Sequence, residues 1–342
     1  MKLFTTTVIT VLALTAVGVF HGLSDEQKYE DRLKNISDLV NSQNLGWQAE
    51  VSPRIKGMSK AQIKNMMGGA FMTENSKFPH VSQVHKFNFN DVPANFSSET
   101  KWPQCQSIKD IRDQANCGAS WAFGAVSAMS DRLCISGDNE QAETLQIRLS
   151  SEDLLTCCGA CGNGCNGGYP SIAWDFFADT GIVTGWNYGD KNFCSPYEFH
   201  PCTKQYPKCS KRVNTPSCNE VCIQGYPKYY NNDKHFGSTP YYVTGETFMM
   251  AEISKNGPIE TAFTLYEDFM TYKSGVYWHR HGYTLGGLAV KIVGYGVLDG
   301  VKYWRAANSW GRSWGMDGYF LMRRGQNDCG FESHGHAADI KK

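Results

Sequence analysis

The sequence lacks an excess of charge of either sign: 33 Lys and Arg residues stand against 33 Asp and Glu, for a formal net charge of +0. Neutrality removes the electrostatic case for a nucleic-acid or anionic-membrane partner. Charged residues are also sparse, at 19% of the chain against roughly 25% in an average globular protein. With 13% aromatics, that balance favours a packed globule and excludes a disordered chain. Beyond Phe20, no apolar run reaches the about 18 residues needed to cross a bilayer. No internal repeat or low-complexity tract is present, which excludes solenoids and arrays. Cysteine, finally, is missing from residues 19 to about 90, although the chain holds 13.

At 342 residues the chain is long enough for one large domain or two lobes plus processing segments. Lys2, the apolar stretch Val8 to Phe20 and the small residues of Ala16-Val17-Gly18 read as a signal peptide over 1–18. The mature protein is therefore expected to enter the secretory pathway, bound for the extracellular space or the lysosome. Thirteen cysteines suit an oxidising compartment, and their odd number leaves at least one thiol outside any internal pair. Cys157-Cys158-x-x-Cys161 through Cys165 could also be read as a zinc site, but zinc wants reduced thiolates, and the expected compartment argues for oxidation. No cofactor or metal is expected.

Residues 19–90, rich in Lys, Asn and Ser, read as a prosegment with modest helical patterning at Ile36, Leu39 and Val40 and again at Ile63, Met66 and Met67. It is expected to end near Asp91-Val92-Pro93, leaving 91–342 as the main domain. Ala122, Val126, Met129 and Leu133 follow the spacing of a buried helix face, with Ser120 where an N-cap would sit. Ser150-Ser151-Glu152-Asp153 forms a capping-box arrangement before Leu154 and Leu155. Residues 187–245 show little periodicity, which is tolerable if disulfides staple them. After Pro258 the pattern alternates: Ile259 to Leu265, Leu288 to Val293, Val301 to Ala306 and Tyr319 to Arg323 read as strands. A helical part, mainly 105–250, followed by a strand-rich part, mainly 251–342, predicts an α+β protein of two lobes with a cleft between them.

The segment Cys117-Gly118-Ala119-Ser120-Trp121 matches the C-G-[SA]-C-[WY] nucleophile signature of papain-like proteases at every place except the nucleophile. Asn308-Ser309-Trp310-Gly311 resembles the family's Asn-containing motif. Gly286-Gly287-Leu288-Ala289-Val290 resembles the segment that carries the catalytic His, and Leu288 holds that place. Trp102-Pro103-Gln104-Cys105, Asp131-Arg132-Leu133-Cys134, Leu154 through Gly159, Gly164 through Pro170, Asn256 through Glu260 and Tyr272 through Tyr277 look like cathepsin B segments in particular. The similarity runs from about Trp47 to the Cys329-Gly330 region. The chain thus resembles a cathepsin B-like member of the papain-like cysteine proteases with its catalytic Cys and His replaced.

The resemblance implies a papain-like fold with a helical left lobe and an antiparallel, barrel-like right lobe. It implies disulfides Cys105–Cys134, Cys117–Cys165, Cys157–Cys218, Cys158–Cys161, Cys194–Cys222 and Cys202–Cys209, leaving Cys329 over. It gives Gln114 to the oxyanion hole and Asn308 to the orientation of an imidazole that is missing here. Gly167, Gly168 and Trp310 fall to substrate binding, and His334 to the base of the specificity pocket, where the family has an acidic residue. The insert between Cys202 and Cys209, Thr203-Lys204-Gln205-Tyr206-Pro207-Lys208, lacks the His pair on which cathepsin B exopeptidase activity depends.

A serine hydroxyl can attack a carbonyl only if a base takes its proton, and Leu288 cannot. Ser120 is then read as a plain helix N-cap. His279 and His281 lie at the wrong place to substitute and are read as exposed loop histidines. Three functions follow: an inactive pseudoprotease that binds peptides or cystatin-like protease inhibitors, a weakly active Ser-substituted endopeptidase, or a scaffold used away from the cleft. The expected partners are a peptide or protein ligand and the chain's own prosegment, on a monomer. Asn35-Ile36-Ser37 and Asn95-Phe96-Ser97 are glycosylation sequons.

Overall fold

The computed structural model describes residues 23–67, 78–137, 147–202 and 213–341. The expected signal peptide and the insert between Cys202 and Cys209 lie outside the described residues. The first elements are α1 (Asp25–Ser42), β1 (Trp47–Ala49), α2 (Lys60–Met66), α3 (Val81–Val84), β2 (Phe96–Ser97) and α4 (Ser98–Lys101). Next come α5 (Ser120–Ser136), α6 (Ser151–Cys157), α7 (Pro170–Asp179), β3 (Tyr241–Val243) and α8 (Glu246–Asn256). The strands β4 (Ile259–Tyr266), β5 (Tyr272–Tyr277), β6 (Thr284–Leu298), β7 (Val301–Ala307), β8 (Tyr319–Arg323) and β9 (Gly335–Ala337) complete the chain.

Helix α5 is the axis of the molecule. Its expected face, Ala122, Val126, Met129 and Leu133, is buried, and so are Trp121, Phe123 and Ala125 on its other sides. A helix apolar all round must be enclosed. On one side α5 packs with Leu154, Leu155, Trp174 and Phe177 into the core of the helical lobe. On the other side it meets the sheet through polar ties that fix its register. Lys291 of β6 pairs with Asp131 at 2.7 Å, and Arg132 pairs with Glu252 of α8 at 2.6 Å, all with side chains 2% exposed or less. Trp174 donates its Nε1–H to Glu260 of β4 at 2.8 Å.

The strands run in the order β1-β5-β8-β7-β6-β4-β9-β3, with β2 pairing the outer part of β6. Pairing is antiparallel except between β5 and β8. The two lobes of the expectation are present, but the sheet is open rather than barrel-like, with β1 and β3 at its two ends. Strands β1, β2 and β3 also come from before residue 251, so the sheet draws on more of the chain than the strand pattern after Pro258 indicates. A three-residue strand such as β1 is too short for period-2 alternation to register.

Five disulfides join the pairs named above, from Cys105–Cys134 to Cys194–Cys222. Two of them, Cys157–Cys218 and Cys194–Cys222, staple the irregular stretch. Cys209 lies outside the described residues, among which Cys329 is the free thiol.

The residues read as a prosegment pack as part of the main core. Tyr29, Leu33, Ile36 and Val40 of α1, with Trp47, Met58, Ile63 and Met66, share one apolar cluster with Phe269, Tyr272, Tyr277 and Trp310. Leu39, expected on the buried face, is 48% exposed, because the 3.6-residue period turns Leu33, Ile36 and Val40 inward instead.

Candidate functional site

The loop entering α5 is fixed before the helix begins. Cys117 is tied to Cys165, Gly118 bridges Asn166, and the Gln114 N–H donates to the Ser309 carbonyl at 2.9 Å. The Gln114 carbonyl accepts from Tyr197 Oη at 2.9 Å. Its side chain, with no exposed surface, accepts at Oε1 from Ser309 Oγ at 2.6 Å. The Nε2 group donates to the Cys117 carbonyl at 2.7 Å and to the Met66 carbonyl at 2.9 Å. The amide expected to face a substrate oxygen therefore faces the backbone of α2.

Ser120 is the first residue of α5, and the cap is Ala119, with no side-chain capping bond. The N-cap reading of Ser120 is thus corrected. Its Oγ accepts from the Ala289 N–H of β6 at 3.2 Å, across the two lobes. That bond satisfies an amide which an edge-on helix would otherwise leave buried without a partner. Leu288, the preceding residue of β6, has no exposed surface and pairs in register with Phe263 of β4. Asn308, following β7, is 3% exposed. Its Oδ1 accepts from the Ser309 N–H at 2.8 Å, and its Nδ2 has no hydrogen-bond partner among the described residues. Trp310 is buried against Trp314, ring centroids 5.0 Å apart, and its Nε1–H is likewise without an acceptor.

Gly167 and Gly168 have a packing reason as well as an expected ligand role. Gly167 sits at φ +113°, and a Cβ on Gly168 would come within 2.6 Å of the Trp121 ring. Half-buried His334 precedes β9, and its carbonyl lies 3.0 Å from Nδ1 of His336. Burial pulls His336 down to about 4, so it is neutral at ordinary pH.

Among the described residues no titratable side chain is hydrogen-bonded to Ser120 Oγ. His279 Nδ1 lies 3.1 Å from Asp268 and its ring stacks on Tyr266 at 3.6 Å. His281 Nε2 lies 3.0 Å from Gln43 Oε1. Both are half-buried and engaged, which corrects the expectation of exposed loop histidines. The Cys329 thiol is pushed up to about 12 by burial and the neighbouring carboxylates Asp328 and Asp268, so it offers no thiolate near neutrality.

The roles of five residues from before residue 68 were not legible in the sequence. Met66 puts its carbonyl on Gln114. Arg54, 5% exposed, donates from Nη2 to the Ala115 carbonyl at 2.8 Å, and Ala115 holds a left-handed φ of +56°. Arg32 and Lys60 converge on the buried Glu267 at 2.6 and 3.3 Å, with Tyr29 also donating to it. Burial alone would raise the Glu267 carboxyl, but the hydrogen bonds from Arg32 and Lys60 bring it below its ordinary value. A lone basic residue in a Lys-rich stretch carries no signal that it will be buried.

Residues 92–338 match the papain family cysteine protease description. A cathepsin B-like cysteine proteinase of Schistosoma japonicum is 42% identical over 93% of both chains. Cathepsin B-like cysteine proteinase 4 of Caenorhabditis elegans is 43% identical over 87% of this chain and 89% of its own. Among solved structures, proCathepsin B S9 from Trypanosoma congolense is 36% identical with a TM-score of 0.77, covering 90% of this chain and 98% of its own. A digestive procathepsin L 3 from Tenebrio molitor larval midgut shares the fold at TM-score 0.65 and 20% identity, over 92% of this chain and 91% of its own. With the helical and sheet lobes meeting at Ser120 and β6, these likenesses establish that the chain belongs to the papain family of cysteine proteases and is a cathepsin B-like member of it.

Proposed function

We propose that this chain is a pseudoprotease: a cathepsin B-like binding protein whose cleft takes extended peptides or cystatin-like protease inhibitors without cutting them. The observation that carries the proposal is the pair at the junction of α5 and β6. Leu288 is wholly buried and apolar, and among the described residues the hydrogen bond of Ser120 Oγ is the one it accepts from the Ala289 N–H. Papain-type chemistry needs a thiolate at a helix N-terminus and an imidazolium beside it. A serine there keeps the helix dipole but has no comparable acidity, and its lone pair already accepts a backbone proton. The Asn308 side chain supports the same reading, since its Oδ1, the atom that could accept from an imidazolium, accepts from the Ser309 N–H instead. Losing the triad while keeping an oxyanion donor leaves a serine protease only about 10³ to 10⁴ over water.

The rival, a weakly active Ser-type endopeptidase in proteolysis, draws support only from Ser120 standing at the first turn of α5. Prosegment residues occupy the Gln114 amide, so ligand binding follows their removal by another protease. The chain works in the secretory pathway, extracellular or lysosomal. Among its described residues no helix is long and apolar enough to cross a membrane.

The test uses the chain after removal of the prosegment by an added protease and a fluorescent peptide copying residues 59–67. Anisotropy should report saturable binding, weakened about tenfold in Gln114→Ala, the loss of one buried hydrogen bond. A folded, trimmed chain that binds neither this peptide nor a cystatin overturns the proposal.

A further inference from the structure

The Asn95-Phe96-Ser97 sequon falls where the main domain begins, and its surroundings are ready for carbohydrate. Asn95 is exposed and immediately precedes β2. Its Oδ1 accepts from the Val297 N–H of β6 at 3.0 Å, and beneath it lies Gly296, where a Cβ would come within 2.9 Å of that oxygen. The amide is thereby clamped by its oxygen, and no described group accepts from its nitrogen. Phe96 anchors the other side, stacked on Tyr295 at 5.8 Å and edge-on to Trp102 at 5.8 Å. The strand pairing of Phe96 with Tyr295 and of Ser97 with Gly294 fixes the direction in which Asn95 leaves the surface. Beside it the β6–β7 hairpin tip exposes Val297 at 49%, Leu298 at 40% and Val301 at 37%, a small apolar group that the fold itself leaves uncovered.

We infer that Asn95 carries an N-linked glycan, which covers the hairpin tip at Val297, Leu298 and Val301. Rooted at the Asn95 nitrogen, it needs no rearrangement of the described residues, among which that side chain is bonded through its oxygen. In the modification, Asn95 Nδ2 attacks the anomeric carbon of a lipid-linked oligosaccharide diphosphate. The N–C bond forms as the bond from that carbon to the diphosphate oxygen breaks, the lipid diphosphate leaves, and the amide gives one proton to the transferase. Asn35 is the competing sequon. It lies on exposed α1 surface between buried Leu33 and Ile36, within the removable prosegment, so a glycan there would be lost on trimming.

The inference rests on the export part of the proposed function, and one experiment separates the two. The full chain with its own N-terminus is expressed in a eukaryotic secretory host, and the product in the medium is treated with peptide N-glycosidase and mapped by mass spectrometry. The expected result is conversion of Asn95 to Asp on treatment. Asn95→Gln and Ser97→Ala should each show the same downward mobility step as enzymatic removal, while Asn35→Gln keeps the Asn95 glycan. Ser97 makes no side-chain capping bond, so Ser97→Ala removes the sequon without costing α4 a cap. A secreted chain with Asn95 bare, or glycosylated at Asn35 only, overturns the site and leaves export standing. A chain retained in the cytosol without glycan overturns both.

Discussion

On the proposed reading two residues, Ser120 and Leu288, carry the loss of chemistry, and other single residues set opposing responses to pH. Ser120→Ala deletes the acceptor of the buried Ala289 N–H, at a cost of about 1 to 3 kcal/mol. A drop of several degrees in melting temperature should report it, and an unchanged melting temperature would show that bond to be worth nothing. Leu288→His alone places a polar ring in a wholly buried strand position, so it too should destabilise, by about 1 to 3 kcal/mol. Burial raises Glu152 to about 7, while burial lowers His336 to about 4. A raised carboxyl gives a folded state that holds its proton longer than the unfolded chain does. Its contribution is therefore complete below the ordinary value near 4.5 and lost as pH rises to about 7. His336 works the other way, with stability gained as pH rises from about 4 to its ordinary 6.5. Glu152→Gln should leave stability at pH 4 unchanged and raise it at pH 7 by on the order of 3 kcal/mol. Melting curves of variant and natural chain that run parallel across that range would contradict the assignment. The proposal that Ser120 and Leu288 are substitutions comes from the length of the motifs around them. The bond Ser120 makes was not legible in the sequence, since a hydroxyl at the start of a helix pattern looks like a cap whichever way it points.

The element that covers the Gln114 amide is the segment before residue 68. Strand β1 extends the sheet beside β5, with the Trp47 Cα opposite Gly275, and the Glu50 N–H donates to the Thr271 carbonyl at 2.6 Å. Helix α1 is held by Arg32 on Glu267, and Lys60 at the start of α2 reaches the same carboxylate. Arg32 and Lys60 are about two-fifths exposed, so solvent screening limits each to roughly 1 kcal/mol or less. Glu267→Gln weakens both at once. An added protease should then excise the proposed prosegment about fivefold faster at neutral pH, since cleavage follows the open population. Because the folded Glu267 carboxyl lies below its ordinary value, its contribution is present above that value and fades as pH falls through the folded one. The variant and the natural chain should thus be cut at equal rates in strong acid. Equal rates at neutral pH as well would mean that these pairs do not hold the segment. In the sequence, the helices of this region were visible as weak periodicity around Ile36 and Ile63. Its joining of the main core was not, because short strands and single buried basic residues leave no periodic trace.

At the scale of the whole molecule, the two lobes and the five disulfides among the described residues could be read from motifs and from the change of periodicity after Pro258. The openness of the sheet could not, since closure depends on pairing among distant strands rather than on any one segment. If the chain cannot cut itself, as proposed, expression without other proteases should give a single product by mass that still carries the proposed prosegment. Recovery of only a form trimmed near Val92 from such a preparation would contradict this. The central claim, an intact cleft lacking only its catalytic pair, is tested most directly by hydrolysis of dipeptidyl fluorogenic substrates after trimming with an added protease. The natural chain is compared with the double variant Ser120→Cys with Leu288→His. Silence in the natural chain and turnover in the double variant is the predicted result. Turnover by the natural chain that disappears in Ser120→Ala would contradict it and require a base that the cleft does not display.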